Sequence, residues 1–419
     1  MVPNGWTLTS LGKLCDINPK KIKKPENGKV SFIAMNQLSE EGQLISHLPR
    51  EYEEVSKGFT SFKDGDVLVA KITPCFENGK GALVYGLTNG VGFGSTEFHV
   101  LRAKENTSPE FIYYLTRTKE LRVRGENNMQ GSAGHRRVTA DYFNAYKVLT
   151  PPLPEQRKIA NILSTWDKAI STTERLIDNS KQQKQALMQQ LLTGAHTQRK
   201  RLLDDSGKPF EGEWEEVKLG DLSTKITKGT TPSTNGFSFQ QQGINFVKVE
   251  SISSTGAFDK SKFAYIDNDC HESFKRSQLE KEDILFSIAG ALGRTALVEE
   301  TILPANTNQA LAIVRLDRAR SVHRYIIYYL NSPRIASLIK GLTAKAAQPN
   351  LSLKDVNGLT ILLPSLKEQE KIASVLSNAD KEIELLEQQL ADLKQEKKAL
   401  MQQLLTGKRR VKVDDKEVA

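Results

Sequence analysis

Three stretches in the first third of the chain combine glycine with side chains that donate or accept hydrogen bonds. KITPCFENGKG presents Lys71, Thr73, Asn78 and Lys80, GFGSTEF presents Ser95 and Thr96, and MQGSAGHRR presents Gln130, Ser132, His135, Arg136 and Arg137. A comparable set recurs later: Lys248 in INFVKVESI, Ser287 and Arg294 in SIAGALGR, Asn306, Asn308 and Gln309 in ANTNQ, and Lys345, Gln348 and Asn350 in LTAKAAQPN. Amides, hydroxyls and guanidinium groups on polar loops after apolar strands suit hydrogen bonding to base edges, and additional lysines suit phosphate. The plain alternative for each residue is a polar surface turn. Glu97 and Glu250, in the same neighbourhoods, are wrong for phosphate; a cytosine amino group would suit them, and a structural hydrogen bond is the simpler expectation.

The residues offer little for catalysis. Six histidines, His47, His99, His135, His196, His271 and His323, show no HExxH or other close ligand spacing. There is no GxxxxGK[ST] loop, no GxGxxG after a strand, and no Asp or Asn followed by two prolines and an aromatic, the adenine methyltransferase motif. EKED at Glu280 is the kind of acidic triplet that arises by chance in a chain with 26% charged residues. Cys15, Cys75 and Cys270 are odd in number and lack CxxC spacing, so they read as ordinary thiols rather than a disulfide framework or a zinc site. No metal or cofactor is expected on this chain.

A net charge of +9 favours a polyanionic partner. The apolar content of 38% is that of a folded mixed α/β protein, and 419 residues suffice for two or three domains. No stretch reaches 18 uncharged apolar residues, and the start lacks signal-peptide regions, so a cytoplasmic protein without a membrane segment is expected.

What positions the polar loops is an internal repeat. ALMQQLLTG occurs at Ala186 to Gly194 and again, 213 positions later, at Ala399 to Gly407. Residues 155–194 and 368–407 share 23 identities in 40 positions without a gap. The segments before them are far less alike but keep their landmarks in order: Trp6 and Trp214, DVLVAKI and DILFSIAG, FIYYL and YIIYYL, then an apolar run into proline. Apolar residues in the repeated parts recur by fours and threes, a helical seam of period 3.5. One seam holds Ile159, Leu163, Trp166, Ile170, Ile177, Leu187 and Leu191. The other holds Ile372, Leu376, Ala379, Ile383, Leu386, Leu390, Leu393, Leu400 and Leu404. Lys184 and Lys397 occupy equivalent polar seam positions; either their stems pack while the amines reach water, or they fix register.

Each helix of about 40 residues would span roughly 60 Å and cannot leave an apolar stripe exposed. Because the second helix must return where the first set out, the expected arrangement is an α+β pseudo-two-fold tandem repeat with two globular domains separated by two long antiparallel coiled-coil helices. The expected boundaries are a first domain at 1–153, a central helix at 154–194 and a linker at 195–209. A second domain at 210–363, a distal helix at 364–407 and a charged tail at 408–419 follow. Gly194 and Gly407 are expected to stop the helices in a left-handed conformation.

On these features the chain closely resembles the specificity subunit of type I restriction-modification systems. The likeness covers nearly the whole chain and rests on LPEQRKIA or LKEQEKIA opening each long helix and LMQQLLTG ending it. It implies a non-catalytic, sequence-specific reader of double-stranded DNA, with each domain a target-recognition domain for one half of a split asymmetric site and the helices setting the spacer. It also implies two modification subunits, which use S-adenosylmethionine to methylate adenine, and two restriction subunits, which use ATP and Mg2+. Target preference would lie in loops such as GSAGHRR and AKAAQPN. The competing expectations are a coiled-coil adaptor without DNA specificity and a free-standing enzyme.

Overall fold

The computed structural model describes residues 2–132, 134–193, 201–344 and 349–413. Lys345, Gln348, Gly194 and parts of the expected linker and tail lie outside them. The chain divides into two compact units, Met1–Glu174 with Gln388–Ala419, and Arg175–Glu387. Each unit therefore holds one domain, the beginning of one long helix and the end of the other.

The two domains are built alike. In the first, an antiparallel sheet runs in the order Cys15–Ile17, Phe98–Ala103, Asp66–Ala70, Gly81–Leu83. A second sheet runs Leu48–Glu51, Lys29–Ile33, Val91–Gly94, Thr60–Lys63, with its central pair parallel. In the second domain the corresponding orders are Ser223–Lys228, Leu311–Leu316, Ile284–Ser287, Thr295–Leu297 and Ala264–Ile266, Ile244–Val247, Ala305–Thr307, again with one parallel pair. The shared DVLV and DILF landmarks owe their aspartates to a buried ion pair. Arg102 bonds bidentately to Asp66 at 2.8 and 2.7 Å, and Arg315 to Asp283 at 2.8 and 2.9 Å, each across the sheet. A carboxylate this deep must be paired, which explains why both members persist in otherwise unlike domains.

The long helices run Leu153–Leu191 and Leu366–Leu404. Every seam residue named above is buried or half-buried, from Ile159 and Leu163 through Trp166, Ile170, Ile177, Leu187 and Leu191. The same holds from Ile372 to Leu404 on the second helix. Within each unit the two helix segments are antiparallel: Asp167 meets Lys397 and Glu174 meets Lys394 in one, and Lys184 meets Asp380 and Lys181 meets Glu387 in the other.

The two polar seam lysines do not simply reach water. Lys397 bonds to Asp167, which accepts from the Tyr114 hydroxyl at 2.7 Å, and its ammonium lies 5.7 Å from that tyrosine ring. In the other unit Lys184 bonds to Asp380, which accepts from Tyr328 at 2.7 Å, with the ammonium 5.6 Å from the ring. Each cluster joins both helices to the FIYYL or YIIYYL helix of its domain. It therefore locks seam register and domain orientation together.

Buried side chains at each helix start do the rest. Glu155 accepts from Trp6 Nε1 at 3.0 Å and from Arg410, which also donates to Asn4 O. Glu368 accepts from Trp214 Nε1 at 3.2 Å and from Arg201, which donates to Gly212 O at 2.6 Å. The following glutamines, Gln156 and Gln369, accept from Ser108 N–H and Val322 N–H and donate to Pro151 O and Pro364 O. One arginine from each basic segment after a helix is thus an internal clasp. Met188, Leu191 and Leu192 from the end of the first helix enter the core of the second unit, and Leu404 and Leu405 that of the first. Gly407 adopts φ +68°, where a side chain would also crowd Pro3 and Trp6.

Glu368→Ala removes a carboxylate only 1% exposed and leaves Arg201, itself 17% exposed, unpaired, and is expected to lower unfolding stability by about 3 kcal/mol in urea titrations. Lys371→Ala, whose partner Asp205 is 98% exposed, should change it by less than about 1 kcal/mol.

Candidate nucleic-acid interface

Backbone hydrogen bonds stitch the three polar stretches of the first domain into one platform. Lys71, at the end of strand Asp66–Ala70, donates from its N–H to Glu97 O and accepts at its carbonyl from Val138 N–H, both at 2.9 Å. Thr73 N–H donates to Arg136 O at 3.0 Å. The second domain repeats the pattern: Ile288 N–H donates to Ala310 O and Leu351 N–H donates to Ile288 O, both at 2.9 Å. The strand registers make Ser95 and Thr96 equivalent to Asn308 and Gln309. The same scaffold therefore presents different polar side chains in the two domains.

In the first platform several polar groups hold one another. Arg137 bonds bidentately to Glu97, which draws the Glu97 carboxyl below its ordinary pKa. Thr73 donates to Glu77 at 2.6 Å, Asn78 donates to Glu40 at 2.9 Å, Ser95 accepts from Glu97 N–H, and Arg136 lies 3.8 Å from Glu77. Thr96, Gln130, Ser132 and His135 are exposed, while Lys71 and Lys80 are half-buried. Behind the loop, buried Arg122 donates to Thr116 O and Phe76 O, and Arg117 donates to Gly79 O and Glu40 O. Nothing in the sequence distinguishes these two loop-holding arginines from surface residues on a helix.

In the second platform Gln309 and Asn350 are exposed, Asn308 accepts from Ala310 N–H, and Lys248 lies with its ammonium 4.7 Å from the Phe239 ring. Two sequence candidates are corrected. Asn306 is fully buried: Ala305–Thr307 is a strand rather than a loop, and the amide donates to Ser277 Oγ and Phe274 O. Ser287 is equally buried and donates to Ala289 O. Neither side chain can reach a ligand while its sheet is intact. Arg294 turns inward to Ile252 O at 2.6 Å, so it holds the loop. Glu97 is the structural acceptor already described, and Glu250 is exposed.

The sequence reading overlooked a fourth loop on each platform, Asn18–Gly28 and Gly229–Gly243, leaving the strand beside Phe98–Ala103 or Leu311–Leu316. In the first domain Asn18 reaches buried His99, whose Nε2 lies 2.9 Å from Val138 O and whose Nδ1 lies 3.0 Å from the Asn18 amide nitrogen. In the second, Thr230 N–H donates to Thr307 O at 3.0 Å. A side chain at Gly229 would stand 2.0 Å from that same carbonyl, so only glycine permits the approach. The signals available were the lysine run KKIKK and the turn-forming GTTPSTNG.

Burial pushes the His99 pKa below its ordinary value, so the neutral ring stabilises the fold. That contribution is complete above about pH 6.5 and is lost as pH falls through the lower folded value. Amide exchange at Asn18, Val100 and Val138 should be slow and constant from pH 8 to 7 after correction for the intrinsic rate, then accelerate under acid. His99→Gln should remove that pH dependence; unchanged behaviour would exclude His99 as its source.

A sequence model described as the type I restriction modification DNA specificity domain matches this chain twice, over residues 3–180 and 211–395. The specificity subunit of the type I restriction enzyme EcoAI from Escherichia coli is 37% identical over 160 residues, 38% of this chain and 27% of that protein. Its EcoEI counterpart is 36% identical over 182 residues, 43% of this chain and 30% of its own length. The chain thus spans under a third of these two relatives. The putative type I restriction enzyme MjaX specificity subunit of Methanocaldococcus jannaschii is 26% identical over 353 residues, 83% of this chain and 79% of that one. In fold, the chain is similar to one solved in a study of complex assembly and conformational transition of the type I R-M system, with TM-score 0.62, 21% identity, and 98% and 100% of the two chains covered. It is also similar to a type I S subunit from M. genitalium, with TM-score 0.58, 16% identity, and 97% and 98% covered. Two matches to one domain, on two domains of closely similar strand order, place this chain in the family of type I restriction modification DNA specificity domains.

Proposed function

We propose that this chain is the non-catalytic, sequence-specific DNA-binding subunit of a type I restriction-modification complex. The observation that supports this most is the pair of equivalent loop platforms, held by the same backbone bonds and furnished with unlike polar side chains. Each platform reads one half of a bipartite, asymmetric site on double-stranded DNA in the cytoplasm. Thr96, Gln130, Ser132, His135, Gln309 and Asn350 are the exposed candidates for base edges, and Lys71, Lys80 and Lys248 for phosphate. Methyl transfer from S-adenosylmethionine, and translocation and cleavage with ATP and Mg2+, belong to two modification and two restriction subunits.

The long helices set the spacer and dock the modification subunits. Much of the identity between the repeats serves internal packing, but Gln182, Ala186, Gln189 and Gln190 are exposed, as are their identical counterparts Gln395, Ala399, Gln402 and Gln403. Two like stripes suit two like partners. Ala186→Glu and Ala399→Glu should each lower the modification subunits retained from two to one, read by the mass of the purified complex; retention of both would remove the stripes from the interface.

Mapping methylated adenines in a genome carrying the system tests the whole reading, with two unlike half-sites expected. Inserting one heptad in register into both helices lengthens each by about 10 Å, so the spacer should grow by about three base pairs. An unchanged spacer would contradict the role given to the helices.

A further inference from the structure

Building on the DNA-reading function, we infer that the overlooked fourth loop contacts DNA in both units by different chemistry. In the first unit it grips phosphate through lysines, and in the second it applies an aromatic side chain to the bases. Asn18–Gly28 has Lys20, Lys21, Lys23 and Lys24 all exposed. Lys24 is engaged by Glu53, and Lys21 donates to Ser56 O at 3.0 Å, an anchor it can exchange for a phosphate oxygen. The loop starts from the platform, where Asn18 reaches His99 and His99 reaches Val138 O, and its lysines follow within a few residues of that anchor.

The corresponding Gly229–Gly243 has no lysine or arginine. It carries Phe239, 41% exposed although aromatic. That ring is held rather than loose: its edge meets buried Phe246 with centroids 5.3 Å apart, and the Lys248 ammonium lies against it. The loop's other end is fixed by Thr230 on Thr307 O and by Thr231 on Gln309, itself an exposed member of the platform. An immobilised apolar ring beside a cation suits a wedge at a base step, the cation meeting the adjacent phosphate. Lysines that neutralise phosphates add affinity without sequence preference. The two half-sites are therefore held unequally, the first by charge and the second by ring contact.

The test uses the full complex with its modification subunits and duplexes carrying the methylated motif, titrated across salt concentrations. Lys20→Gln, Lys21→Gln and Lys23→Gln combined should lower the magnitude of the log-affinity against log-salt slope by about two to three while leaving discrimination between cognate and mutated half-sites intact. Phe239→Ala should leave the slope in place and reduce discrimination in the second unit's half-site at least tenfold, with the first half-site unaffected. Phe239→Leu, which keeps an apolar wedge, should restore part of it. An unchanged slope overturns the phosphate grip, and unchanged discrimination overturns the ring contact. Failure of the unmodified complex to prefer any bipartite motif would instead overturn the DNA-reading function itself.

Discussion

A helix of 39 residues with one apolar stripe must bury that stripe, and in each unit it does so against the antiparallel segment of the other helix and the core of the domain. The pairing includes a partly buried ion pair in each unit. Lys397 with Asp167 and Tyr114, and Lys184 with Asp380 and Tyr328, set partly buried charges where any slip of register would leave them unmatched. Because the tyrosines belong to the domains, the same bonds that choose the register also aim each domain. The clasps at Glu155 and Glu368 then seal the point where a helix start, a tryptophan and an arginine from beyond the other helix's end converge.

This explains an apparent contradiction in the sequence, in which one half of each repeat diverged while the other scarcely changed. Glu155, Gln156, Ile159, Ala160 and Leu163 are all buried contacts, and so are Met188, Leu191 and Leu192. A change at any of them disturbs helix, domain and tail together. Backbone hydrogen bonds, which do not depend on side-chain identity, join the platform loops, so the exposed polar residues on them can vary at little cost to the fold. Constraint and freedom are therefore separated physically.

The helices were legible because 3.5-residue periodicity and a duplicated sequence are properties of the chain itself. The platform was legible as a set of polar glycine-containing stretches, but not its membership. Asn306 and Ser287 look like loop residues in ANTNQ and SIAG, and only strand pairing with Ile244–Val247 and Leu311–Leu316 turns them inward. Arg122, Arg137 and Arg294 carry charges that sequence assigns to solvent or ligand, whereas carbonyls and Glu97 brought from distant segments claim them. The fourth loop was missed for the opposite reason: a lysine run and an isolated phenylalanine gain meaning only from what lies beside them.

If two unlike domains on equivalent frames read two unlike half-sites, replacing residues 1–153 with a second copy of residues 210–363 changes the site that the reconstituted complex methylates. Mapping its methylated adenines should then give a palindrome made of two copies of the second domain's half-site with the original spacing. Persistence of the original asymmetric site would show that the first domain does not read its half.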